Sequence, residues 1–515
     1  MTNVTRRQFL REGAVAMLAA GNVRSAFAGA PRQKPPYRLL YSNDLTNILS
    51  CTSPFHKPRE PFRKEMLEAT VDEVAGKGVD VHLLQPGLGV LPMWTSKVQP
   101  LEEHAAWLME TYGQKLDSYT QAVVNGTDLI QTFLDRCRMR GQAPFISIRM
   151  NDAHHKENVG KKKGEKFGSV SMSINRFYHA HPEYRLVPGS LSGKDLVLNW
   201  AEPEVRTQKL MLLQELCENY DLDGLELDFL RTYSYFRLAE TTREQRAAIM
   251  TAFVKDVRAL LDRTAREGRR RWLSLRVPCY LEAHDPLGID LAAITAAGVD
   301  IVNASSHYFT TQQHHLAAIR KQVPHTTLYF ELCHTIWKGE KVAVGYDVFP
   351  YRRATREHLH TAAHLACARG ADGISLFNFA YYRENGTGEG RGVFGEPPFE
   401  ALKALSDPSA LAQGPQHWFI AQGWRAPGAK PLTVPRKILP GTPAKFSFDL
   451  APPQGGWKRD ARLRIQAAQP LGDEPWSAKF NGETLTSTPD VSEPFPVPYP
   501  SMMGKPEEMR AWLVP

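Results

Sequence analysis

Residues 223–231 read DGLELDFLR, an apolar run broken by two acids, Glu226 and Asp228, one residue apart. A strand has a side-chain period of two, so both carboxyls point to one side and Leu225, Leu227 and Phe229 to the other. A carboxylate taken out of water is expensive unless it is paired or hydrogen-bonded. A strand that carries two of them on one face therefore marks a place where charge is used.

The stretch belongs to an alternation that starts at residue 37. Strand-like runs lie at 37–42, 79–86, 144–151, 222–229, 271–278, 299–306, 326–332 and 372–379. Between them fall helix-like segments such as PFRKEMLEATVDEVAGKG, PEVRTQKLMLLQELCENY, TTREQRAAIMTAFVKDVRALLDRTAREG, TQQHHLAAIRKQV and TREHLHTAAHLACARG. In the second, Val205, Leu210, Leu213 and Leu216 fall close to a three-to-four period. Glycines in GKGVD and ARGAD are placed to end a helix just before a strand. Eight strands alternating with helices most economically close into a (β/α)8 TIM barrel. The rival is an open doubly wound sheet, and no G-x-G-x-x-G turn follows the first strand to favour it as a dinucleotide binder. Two connections, 87–143 and 152–202, are long, and loops of that length are usually functional.

Barrel chemistry occurs at the C-terminal ends of the strands. Reading them in turn gives Asn43 and Asp44; His82 and Gln85; Arg149, Asn151, Asp152 and His154; Glu226 and Asp228; Arg276; Asn303, Ser305, His307 and Tyr308; Glu331 and Trp337; and Asn378 and Tyr382. Each alone reads as an ordinary layer-filling or loop residue; together they make a polar mouth. Paired carboxylates among Asn, Arg and His groups and aromatic rings are what glycosidic bond cleavage requires: one acid protonates the leaving oxygen and the other attacks or activates water. Trp94, Trp337, Tyr308, Tyr381 and Tyr382 are candidate sugar platforms. Arg149, Arg276, Arg383 and the histidines suggest an anionic sugar. Two alternatives stand beside this reading. One is a metal-dependent hydrolase, using His154, His155, Asp152, Glu226, Asp228 and His307. The other is a barrel that binds carbohydrate without cleaving it. Adjacent histidines suit joint ligation poorly, so neither metal nor cofactor is expected.

The chain has 515 residues, a formal charge of +8, 42% hydrophobic and 23% charged residues. That is a globular mixture too long for one ordinary core, without the basic, aromatic-laced stripe of a nucleic-acid binder. Past about residue 408, proline and glycine become frequent and short alternating runs appear: AKFSFDL, ARLRIQAA and WSAKFNGETL. Asn481-Gly482 reads as a hairpin turn. Residues 408–515 thus form a small all-β domain behind a barrel at 35–407. With no exposed aromatic row on its strands, it reads as a buttress rather than a sugar binder. Six scattered cysteines form no dense framework, and at most one disulfide is expected.

The N-terminus, TRRQFLREGAVAMLAAGNVRSAFAGAP, closely resembles a twin-arginine export signal: Arg6-Arg7, then Phe9 and Leu10, a short apolar stretch, and Ala26-Phe27-Ala28 as a cleavage site. The resemblance implies export of the folded protein to the periplasm or beyond, with residues 1–30 removed. No apolar run is long enough for stable membrane insertion, and nothing in the sequence sets an oligomeric state.

The segment NWAEPEVRTQKLMLLQELCENYDLDGLELDFLR (199–231) resembles the bacterial glycoside-hydrolase-like (β/α)8 barrels, the family-10-like putative glycosyl hydrolases. The matching positions are Asn199, Pro203, Val205, Arg206, Tyr220, Asp223, Gly224, Asp228 and Arg231. Chitinase-type barrels share the spacing of Asp223, Glu226 and Asp228 but carry a catalytic glutamate where this chain has Leu230. Alpha-glycosidase-type barrels place a nucleophilic aspartate where Asp228 stands, and retaining barrels of another clan place a nucleophile at Glu331. The resemblance implies a carboxylate from the fourth strand facing Glu331. The preferred division makes Asp228 nucleophile or base and Glu331 acid, with Glu226 one pleat repeat deeper in support.

Overall fold

The computed structural model describes residues 33–44, 48, 60–152, 154, 158–167, 174–188, 197–337, 351–383, 396–421, 437–467, 471–492 and 508–515. The expected export signal, Cys51 and His155 lie outside the described residues. Eight parallel strands close a barrel: β1 (Leu39–Asp44), β2 (Val81–Gln85), β3 (Ala143–Arg149), β4 (Gly224–Asp228), β5 (Trp272–Pro278), β6 (Ile301–Ser305), β7 (Thr327–Cys333) and β8 (Gly373–Phe377). Each pairs with its sequence neighbours and β8 pairs with β1. All eight expected strands are present, in order and within a few residues of their expected bounds.

The helices follow from amphipathic faces and end signals. Helix α1 (Lys64–Asp72) and helix α2 (Leu129–Met139) pack side by side, Arg136 bridging to Asp72. Helix α3 (Pro203–Asn219) begins with proline at its first turn and buries Val205, Leu212, Leu213, Leu216 and Cys217. Helix α4 (Arg243–Arg263) opens with a capping box between Thr242 and Gln245, and helix α5 (Arg356–Ala368) with one between Thr355 and His358. Gly78 and Gly370, expected to end helices, have φ of 90° and 100°, which a side chain would strain. The 87–143 connection holds further helices at Leu101–Tyr112 and Ser118–Val124. Among the described residues no helix is long and apolar enough to cross a membrane.

The barrel interior is layered. At its N-terminal end Leu40, Val81, Leu83, Phe145, Trp272, Ile301 and Tyr329 form one apolar cluster. Gly224 and Gly373 make room for its largest rings. A Cβ on Gly224 would lie 2.4 Å from the Phe145 ring, and one on Gly373 would lie 2.6 Å from Tyr329.

Beyond the barrel, Ala461–Ala467, Glu508–Val514 and Thr486–Thr488 form a three-stranded antiparallel sheet. Lys479–Phe480 pairs with Glu483–Thr484 across Asn481 (φ 51°) and Gly482 (φ 96°), the two positive φ values that a tight hairpin turn demands. AKFSFDL is not a strand. Its end is held by a helix instead: Arg369, just past α5, binds Asp449 (2.9 Å) and the Leu450 carbonyl (3.1 Å). Leu411, Phe419 and Ala421 pack on the barrel core, so that packing runs past residue 408. The five described cysteines are all free thiols.

Candidate active site

Period-two alternation explains what each strand delivers to the mouth. Counting from the apolar cluster, β1 turns Leu40, Ser42 and Asp44 inward, β3 turns Phe145, Ser147 and Arg149, β4 turns Gly224, Glu226 and Asp228, and β5 turns Trp272, Ser274 and Arg276. The middle layer is therefore hydroxyl-rich and the top layer charged. In register, Glu226 lies between Ser147 and Ser274, and Asp228 between Arg149 and Arg276.

Arg276 is the hub. Its Nη1 donates to Asp228 Oδ1 (3.0 Å) and Oδ2 (3.1 Å), while Nε and Nη2 grip Glu331 at 2.8 and 2.6 Å. Its guanidinium lies 4.0 Å from the centre of the Phe377 ring. Asp228, Arg276 and Glu331 are each 1% exposed. Burial works against the Arg276 charge, and the two carboxylates outweigh it and raise the pKa. Asp228 also accepts from Gln85 Nε2 (2.7 Å) and the Leu230 amide (2.9 Å). Glu331 accepts from Ser305 Oγ (2.6 Å) and Asn303 Nδ2 (3.2 Å).

One layer down, Glu226 accepts from Ser147 Oγ (2.8 Å), Ser274 Oγ (3.1 Å) and Asn303 Nδ2 (3.4 Å). Burial first, and then the Asp228 charge, push its pKa up to about 7. Asn303 thus touches both Glu226 and Glu331.

A second network forms the rim. Arg149 donates to Asp44 (3.1 Å), Asp152 (3.2 Å) and Gln85 Oε1 (3.2 Å), and Asn378 Nδ2 donates to Asp44 at 3.1 Å. His154 Nδ1 lies 2.7 Å from Asp152, its Nε2 meets Arg231 Nη2, and Arg231 Nη1 meets the Tyr308 hydroxyl. Arginine can only donate, so His154 Nε2 accepts and its proton sits on Nδ1, facing Asp152. Burial, then the Arg231 charge, hold His154 below the usual imidazole value. Burial pushes Asp152 up, but His154, Arg149 and Arg231 outweigh it and leave its pKa well below the carboxylate range. Burial raises the Tyr308 phenol, against the Arg231 charge. His307 and Asn378 both adopt left-handed backbone, φ 62° and 51°. Non-glycine residues hold such geometry only where surrounding contacts enforce it. His307 is enforced by its amide on Ser305 Oγ (2.9 Å), and its ring stacks on Tyr308 at 4.3 Å.

Several expected site residues lie elsewhere. His82 and Asn43 sit one step out of phase with the inward set. They face the helices, where His82 touches Asn43 (3.3 Å) and Gln142 (3.2 Å) and packs on the Phe133 ring at 5.3 Å. Burial lowers the His82 pKa to about 4. Asn151 spends its side chain on backbone, bonding Leu198 in both directions and the Ser234 carbonyl. Tyr382 is fully buried with its hydroxyl on the Ala354 carbonyl (2.6 Å), and Trp94 is buried against Glu215 (2.9 Å); neither offers a ring face to a sugar. The Trp337 side chain lies outside the described residues.

Ser147, Ser274 and Lys209 are participants that the reading by residue type missed, whereas Gln85 and Ser305 stood among the expected strand-end residues and are in the network. Lys209 Nζ donates to the carbonyls of Gly89 (2.5 Å) and Arg149 (3.1 Å), and burial lowers its pKa to about 8. It lines a side cleft together with Asp152, Trp200 and Phe177. Among the described residues no three His, Cys, Asp or Glu side chains converge as a metal-ligand set.

No family model matches the chain, and no curated protein matches it. Solved structures similar to it include the glycoside hydrolase domain of PgaB (BpsB) from Bordetella bronchiseptica, with 12% identity, a TM-score of 0.37 and coverage of 67% of this chain and 95% of that one. Alpha-L-fucosidase isoenzyme 2 from Paenibacillus thiaminolyticus is 10% identical with a TM-score of 0.41, over 72% of this chain and 48% of that one. A class V chitinase from Pseudomonas fluorescens Pf-5 is 12% identical with a TM-score of 0.39, over 71% and 99%. Likeness at this level says nothing about the reaction.

Proposed function

We propose that the protein is a glycoside hydrolase, cleaving a poly- or oligosaccharide at the barrel mouth with Asp228 and Glu331. The observation that carries the reading is the convergence of these two carboxylates, from β4 and β7, on the single guanidinium of Arg276. Asp228 acts as nucleophile or base and Glu331 as acid. The Ser305 hydroxyl against Glu331 Oε1 can reverse its hydrogen bond and accept from a protonated Glu331. Glu226 supports the pair from below.

The substrate is read as neutral. Arg149 already serves Asp44 and Asp152, Arg276 serves Asp228 and Glu331, and Arg383 serves Glu73 and Glu396. The arginines that suggested an acidic sugar are thus occupied by the protein's own acids. Export by the twin-arginine signal would bring the folded enzyme to an extracytoplasmic glycan.

The test is product analysis of the mature protein on a panel of neutral and acidic glycans. D228N and E331Q should each lower turnover by roughly 10²–10⁴-fold with unchanged circular dichroism. Turnover near wild type in both overturns the assignment. Binding without cleavage across the panel supports a non-catalytic barrel, and activity lost to a chelator and restored by a divalent ion supports metal chemistry.

A further inference from the structure

Trp457 is 54% exposed, the largest exposed hydrophobic side chain among the described residues. Its indole N–H donates to Gln416 Oε1 at 3.2 Å, and the half-buried Trp418 donates to the same oxygen at 3.1 Å. One amide oxygen therefore receives both indole N–H groups. The Gln416 amide nitrogen is buried without a partner among the described residues, and an unmet buried donor is costly. An apolar residue at 416 would avoid that cost but leave both rings unanchored. Two further amides, the exposed Gln413 and Gln454, pair beside them at 3.3 Å.

The patch stands on the outer wall of the barrel. The His417 amide donates to Thr361 Oγ1 (2.8 Å), and His364 Nε2 meets the Pro452 carbonyl (3.1 Å), both along α5. None of the mouth residues takes part.

We propose that Trp457 and Trp418, oriented by Gln416, form an accessory platform that binds a neutral glycan chain. The C–H face of a sugar ring is apolar and slightly positive, and it suits the negative π-face of an indole whose tilt is already set. The hydroxyl rim of the sugar needs both donors and acceptors, and amides supply both. The groups that hold the two indoles are amides, with the exposed Lys458, Arg459 and Asp460 following Trp457 in the chain. The site holds substrate without cleaving it, and it does not depend on the catalytic assignment at the mouth.

The test is affinity electrophoresis of the mature full-length protein in gels containing a neutral β-glucan, a mannan, a xylan or a galactan. Wild type should be retarded in at least one gel, W457A should lose at least tenfold in affinity, and Q416L should fall between them. D228N should bind like wild type, which separates this site from the mouth. Wild type unretarded in every gel overturns the proposal, as does W457A retarded like wild type. Retardation lost in D228N alone assigns the binding to the mouth. Concentration-dependent sedimentation of wild type that W457A abolishes makes the patch a self-association surface instead.

Discussion

At the N-terminal end of the barrel, Leu40, Val81, Phe145, Gly224 and Trp272 meet in an apolar layer. Four residues further along the same five strands stand Asp44, Gln85, Arg149, Asp228 and Arg276. One backbone thus carries two kinds of interior. The lower layer holds by shape, the Phe145 and Tyr329 rings filling space that Gly224 and Gly373 leave. The upper layer holds by charge: every acid has a guanidinium, amide or hydroxyl against it. Between them lies the hydroxyl layer around Glu226, polar but without a cation in direct contact. The lower layer is therefore sensitive to a change of volume and the upper layer to a change of charge.

Three substitutions sharpen that contrast. R276M should have the largest effect on stability. It leaves Asp228 and Glu331 buried and facing each other, and breaking a buried ion pair from one side typically costs 3–5 kcal/mol. Denaturant unfolding measures it, and a loss below about 1 kcal/mol would mean the network carries no more than a surface pair.

The middle layer should respond to pH. Glu226 titrates near 7 in the folded protein against 4.5 when free. Between those values the folded state keeps a proton that the unfolded chain has released, so stability falls as pH rises through the window and levels off above it. E226Q removes this slope. Relative to wild type it should gain up to about 3 kcal/mol between pH 4.5 and 7; an equal difference at pH 5 and pH 8 would rule out the titration.

In the lower layer, G224A forces a methyl into the Phe145 ring and should cost about 1–3 kcal/mol, with no dependence on pH. A neutral outcome would show that the ring can move aside.

The fold was almost wholly legible because strand–helix alternation repeats eight times, and an error at one boundary cannot hide the period. The site was legible only where a residue's type and its phase agreed. Asp228, Arg276, Glu331 and Arg149 satisfied both. His82 and Asn43 had the right chemistry on the wrong phase, and counting by two from Glu226's counterparts would have turned them outward. Ser147 and Ser274 had the right phase but a residue type that attracts no notice. Tyr382 and Trp94 could not be separated from true rim aromatics, because their burial comes from helices and loops distant in sequence. The exposed tryptophan platform was sought on the C-terminal strands, whereas Trp418 and Trp457 lie between the barrel and those strands.

The glycines under Phe145 and Tyr329 have one more consequence. By letting those rings fill the bottom of the barrel, they set Glu226 above an apolar floor and below the charged layer. A proton that reaches Glu226 from the mouth travels past Asp228, Arg276 and Glu331. A ligand seated there would also act as a stopper on that traffic for as long as it stays.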